Sequence, residues 1–98
     1  MVEANPVHDD IGVEDGMCTG EIMYEADDGT HVRAHANSYT YEKNGEAKTN
    51  HVPMATLCDE TGTIQLQHEG HDTDNPKTAN KRARKLAESF AERNLNLA

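Results

Sequence analysis

Tryptophan is absent from this chain of 98 residues, phenylalanine occurs once, and only 35% of positions are apolar. So little large apolar surface limits the chain to a single small core, and hence to one domain. Long hydrophobic runs are missing as well: nothing approaches the roughly 20 consecutive apolar residues that a bilayer-spanning helix needs. The stretch Met1–Asp10 has neither the basic start nor the apolar run of a secretory signal. A soluble, cytoplasmic protein without a membrane partner is therefore expected. Cysteine appears only as Cys18 and Cys58, and two thiols outside a secretory context are expected to stay free rather than pair. Phosphate-cradling glycine-rich loops are lacking, and neither Ser38, Ser89 nor the cysteines sit in a local motif that activates a nucleophile. With few aromatics to line a pocket, the chain is expected to be no enzyme and to carry no cofactor.

Negative charge is what the sequence has in excess. Before Pro76, three basic residues (Arg33, Lys43, Lys48) stand against sixteen acidic ones, a net of −13; from Pro76 onward six basic residues stand against two acidic ones, a net of +4, which together make the formal −9. An acidic body with a basic end can pair with itself, pair with a copy, or present two unlike surfaces. Residues 1–19 carry five acidic side chains with Pro6, Gly12 and Gly16 and scattered apolar positions. They read as a flexible acidic N-terminal arm, leaving 20–98 as the single small domain.

From Glu21 the apolar period becomes two. Ile22, Tyr24 and Ala26 share one face, and Val32, Ala34 and Ala36 share another strand's face, with His31, Arg33 and His35 pointing the other way. Asp28-Gly29 between them reads as a two-residue type I′ turn, and Asn44-Gly45 supplies a second hairpin signal between "YTYEK" and "EAKTNHV". Asn37 and Ser38 are expected to interrupt the strands there, and Pro53 to end the next strand, bulge it or hold it at an edge. "MATLCD" and "TIQLQHE" flank a third hairpin turn, with Ile64 and Leu66 expected to face inward. Asp74 or Asn75 can then cap a helix whose first residue is Pro76. Along it Ala79, Ala83, Leu86, Ala87, Phe90 and Ala91 recur at three- and four-residue spacing, a narrow stripe that can lie on the sheet. The expected architecture is α+β: a four- to five-stranded antiparallel β-meander over about residues 20 to 69, with one C-terminal helix over about 76 to 93 packed on one face.

Three stretches could carry a role. His68 and His71, three apart in "HEGHDTD", could begin a zinc site, but no C-x-x-C pair or second close histidine pair completes a ligand set. Lys77, Lys81, Arg82 and Lys85 give the helix a basic face that could meet nucleic-acid phosphates, although the acidic body opposes a polyanion and no aromatics interleave with these residues. The polar outer face of the sheet, with Arg33 and His35 on it, His51 across from them, and Asp27, Asp28, Glu42 and Glu46 at the hairpin ends, suits a partner protein with a basic surface. Self-association through a spare edge strand or the Leu95 and Leu97 tail is compatible with so small a core.

A short meander with one helix on a small acidic protein resembles in outline accessory and inhibitor proteins of phages and mobile elements. That resemblance is one of size and charge and carries no residue roles. It implies a protein-binding module, an inhibitor or adaptor acting on a nucleic-acid-handling partner. Nucleic-acid binding by the basic helix and divalent metal binding at His68 and His71 stand as the alternatives.

Overall fold

The computed structural model describes residues 6–95. In chain order the elements are β1 (His8–Asp9), β2 (Gly12–Glu14), β3 (Met17–Thr19), β4 (Ile22–Glu25), β5 (His31–Lys43), β6 (Glu46–Cys58), β7 (Ile64–Glu69) and α1 (Pro76–Asn94). β1, β4, β5, β6 and β7 form one antiparallel sheet in that order, and β2 pairs with β3 in a separate hairpin. The α+β architecture expected from the sequence is the one found, with its helix on one face of the sheet.

Alternation along the strands decides which side chains meet the helix. Ile22, Tyr24, Val32, Ala34, Ala55 and Leu57 are buried under Ala87, Phe90, Ala91 and Leu95. Ala79, Ala83, Ala87 and Ala91, four residues apart, are fully buried, as are Ala34 and Ala55 beneath them. Alanine on both sides lets helix and sheet approach closely, so the core is dense but gains little apolar area per residue. Phe90, the one phenylalanine, fills the space those alanines leave. Asn75 caps α1, its Oδ1 accepting from the N–H groups of Lys77 (3.0 Å) and Thr78 (3.2 Å) ahead of Pro76 at the first helical position.

Several expectations are corrected. Residues 6–19 form strands where a flexible arm was expected: β1 pairs with β4, and Asp15-Gly16 (φ 52° and 76°) turns the β2–β3 hairpin. Ile11 packs on the core, and Gly20 at φ +77° lies so close to the Asp10 carbonyl that any side chain there would collide with it. Residues 1–5 of that arm lie outside the described residues. Asn37 and Ser38 do not interrupt β5, and Pro53 lies inside β6. The Pro53 carbonyl accepts the Gly70 N–H at 2.8 Å, just past the end of β7. Its missing N–H therefore points to the side where pairing stops, and the ladder to β5 loses nothing.

The Asp28-Gly29 turn is also different. Gly29 N–H bonds to the Ala26 carbonyl and only Gly29 has positive φ (89°), which makes a three-residue loop with glycine in the left-handed position rather than a type I′ pair. The turn after β6 repeats it, with Gly62 bonding back to Asp59. Ile64 and Leu66, expected inside, are 59% and 51% exposed. α1 lies over β5 and β6 and does not extend over β7; a helix about 10 Å wide covers only about two strands spaced about 4.8 Å apart. Leu95 is buried in the core and so cannot serve as a free dimerisation tail, while Leu97 lies outside the described residues.

β5 and β6 pair along all thirteen residues, so their far half runs on past the helix and stretches the molecule to 52 × 22 × 19 Å. There Tyr39 and Tyr41 stack on the open face with centroids 6.0 Å apart. Tyr39 Oη and Asn50 Nδ2 both donate to Asp72, at 2.8 and 3.0 Å, tying the ribbon to the loop after β7.

Candidate functional site

The register settles which candidate residues can act together. Asp27 and Asp28 lie in the β4–β5 turn, whereas Glu42 and Glu46 lie at the opposite tip of the β5–β6 ribbon. At about 3.3 Å per strand residue the two acidic ends are roughly 35 Å apart. They do not form one patch. Asp27 and Asp28 have Glu60 as a neighbour instead, because Gly29 packs directly against it. Asp28 and Asp59 are held below the usual carboxylate range, the first chiefly by the Thr30 N–H and the second chiefly by the Thr61 hydroxyl, so both are committed to their own turns.

Arg33 and His35 lie on the open face between these ends. Arg33 Nε is 3.9 Å from Glu21, which His8 also contacts at 3.0 Å, and His35 Nε2 bonds to Asn37. His51 is not on that face. It lies opposite Ser38 on the helix side and is 1% exposed. Its Nδ1 is 2.6 Å from Ser38 Oγ, which also accepts the Cys18 N–H at 2.8 Å, while Cys18 Sγ donates to the Pro76 carbonyl. Serine, histidine and cysteine thus converge although no motif joins them in sequence. Burial pushes the Cys18 thiol up, the direction opposite to activation. The cluster pins the β2–β3 hairpin to the sheet and to the start of α1. Asn80 adds to that seam by donating to the Gly12 carbonyl at 2.9 Å. Both cysteines are free.

His68 projects from β7 opposite Ala55, and His71 lies in the loop beyond. Among the described residues no three His, Cys, Asp or Glu side chains gather where they could hold a metal ion. Of the basic set, Lys77, Lys81, Arg82 and Lys85 are all exposed. Arg82 and Lys85 turn toward the β7 side of the helix, where with Gly70, His71, Leu86 and Ser89 they line an open groove of about 430 Å³. The neighbouring Arg84 points the other way, into a two-pronged pair with Asp9 at 3.0 and 3.1 Å.

The spare edge strand expected from the sequence, there not assigned to any one strand, is β7, which has no partner on its outer side among the described residues. His51 exchanges backbone bonds with Thr73, and Pro53 accepts from Gly70. Alternation then turns the backbone groups of Leu66 and His68 toward β6 and those of Gln67 outward. Along this edge Ile64, Gln65, Leu66 and Gln67 carry no charge, and both apolar side chains are more than half exposed. The signal was present in "TIQLQ", an uncharged alternating run in a very acidic chain, but its exposure at an edge depends on the helix stopping short of it. No helix of the described residues is long and apolar enough to cross a membrane. Comparison with known proteins finds no matching family model, no matching curated sequence and no matching solved structure.

Proposed function

We propose that this chain is a non-enzymatic protein-binding module that takes a strand of its partner onto the free edge of β7. The observation that carries this reading is the six-residue edge itself: outward backbone groups at Gln67, flanked by exposed Ile64 and Leu66 with no charge between them. Such an edge is a template for another chain, and soluble proteins ordinarily blunt it with charge, proline or a short strand. Backbone pairing supplies affinity, and alternate side chains supply specificity. The separation of the acidic turns argues against a single acidic face as the contact surface, and the net charge of −9 disfavours nucleic acid, a long polyanion that would meet the acidic body as well as the basic helix. An inhibitor or adaptor role fits a module of this kind.

A photo-crosslinker at Gln65, compared with one at His8 on the opposite edge, tests the reading in the native host's extract. Capture of one partner from position 65 and not from position 8, abolished by Gln67→Pro, is the expected result. Proline there removes only an outward N–H, so the fold is expected to tolerate it. Capture that survives Gln67→Pro but fails on charge reversal of Asp27 and Asp28 would move the contact to the acidic turns.

A further inference from the structure

We infer that the segment received by β7 is an acidic strand, with carboxylates alternating with apolar side chains, whose acidic groups at one end reach the groove between α1 and the Gly70–His71 loop that follows β7. This inference rests on the strand-addition reading above and names the chemistry of the partner. The groove is lined by Arg82, Lys85, His71, Ser89, Leu86 and Gly70, with no carboxylate among them, in a chain of net charge −9. Arg33, Lys48 and Arg84 each have a carboxylate within 4.0 Å, whereas Arg82 and Lys85 have none among the described residues. Arg82 spends one N–H on the His71 carbonyl at 3.2 Å, which fixes the guanidinium at the groove and leaves further donors for a carboxylate.

Geometry carries the groove to the incoming strand. A strand added outside β7 lies about 4.8 Å from it, and its helix-side residues recur about every 6.7 Å. Those residues stand beside Leu66 and His68 on the helix side of the sheet, and the groove opens on the same side just past the end of β7, at Gly70 and His71. Leu66, 51% exposed, and Leu86 at the groove wall call for an apolar neighbour, and Arg82 with Lys85 call for a carboxylate. A second copy of this chain does not meet that demand. Paired antiparallel with itself, β7 would offer Leu66 and His68 on the helix side, since Glu69 stands on the open face opposite Met54. Two copies would then bring Arg82 and Lys85 of each toward the other with nothing to neutralise them.

The test uses the whole chain and two labelled peptides of about seven residues, the usual length of a strand. One alternates glutamate with valine and the other lysine with valine, followed by anisotropy and backbone amide shifts at about 0.15 M salt. The glutamate peptide is expected to bind at least about tenfold more tightly, shifting Gln67 and Lys85, and Lys85→Glu is expected to erase that preference. Lys85→Gln, which adds no carboxylate three residues from Arg82 to compete with the His71 carbonyl, is expected to reduce the preference in the same direction, so loss of loop structure does not confuse the result. Equal binding of both peptides, lost only in Gln67→Pro, would overturn the acidic specificity and leave strand addition standing. No shift at Gln67 with either peptide would overturn both. An oligonucleotide that binds in place of the peptides and is lost in Lys85→Glu would assign the groove to phosphate and overturn the proposal. A dimer that occupies β7 in sedimentation would overturn it in favour of a second copy.

Discussion

The two edges of the five-stranded sheet are built on opposite plans. β1 is two residues long, carries His8 and Asp9, and is followed at once by Asp10, so a docking strand would find few free backbone groups and a charged rim. Asp9 is further tied down by Arg84 from the helix, and His8 by Glu21. β7 is six residues long, four of them uncharged in a row, and lies beyond the reach of α1. Short length and charge are the devices by which proteins close a sheet edge. A chain with eighteen acidic residues leaves this edge uncharged, and the proposed strand addition rests on that difference between the two edges.

The contrast can be broken first at what covers the β2–β3 hairpin side. Ser38→Ala removes the acceptor of the Cys18 N–H and the partner of His51 Nδ1. Because His51 is almost wholly buried, the change is expected to lower folding stability by about 1–3 kcal/mol in denaturant titration, with the amide shifts of β7 unmoved. Next comes the open edge itself. Leu66→Glu gives β7 the acidic protection that Asp9 and Asp10 give β1; folding stability should stay within about 0.5 kcal/mol because the side chain is exposed. Partner binding should fall at least about tenfold, about 1.4 kcal/mol, in anisotropy. Unchanged binding in Leu66→Glu would erase the functional difference between the edges.

Period-two patterns and the Asn44-Gly45 pair made the hairpins legible, since burial on one face and the positive φ of a tight turn both leave marks in the residues. The helix start was equally plain in Pro76, with the cap open between Asp74 and Asn75 until the structure placed it on Asn75. What stayed hidden depends on contacts distant in sequence. The β2–β3 hairpin announced itself only by Asp15-Gly16, because each strand has three residues and no apolar alternation to show. Asn37, Ser38 and Pro53 carry the marks of strand breaks, and a break at any of them shifts the count that assigns faces across the ribbon, which puts His51 on the outer face. With the strands continuous, the register sends it inward to Ser38. Ile64 and Leu66 have the alternation of a half-buried strand, and nothing local says that the covering helix ends one strand short.

The smallest effect belongs to the closed edge. Hydrogen bonds from Arg84 hold the Asp9 carboxyl below the usual carboxylate range, and burial opposes them only in part. A carboxylate whose pKa is lower folded than unfolded stabilises the fold above its unfolded value of about 3.9, and that contribution fades as pH falls through the lower folded value. Wild type should therefore exceed Asp9→Asn in stability by at most about 1 kcal/mol near neutral pH, the discount reflecting a half-exposed pair. The gap should hold from pH 7 to about 5 and close below about pH 4, since asparagine does not titrate. β7, which has no ion pair in its first four residues, should show no matching change in amide exchange across that range. A gap that widens on acidification would mean that Asp9 is strained rather than supported by Arg84, and that β1 is closed by its brevity alone.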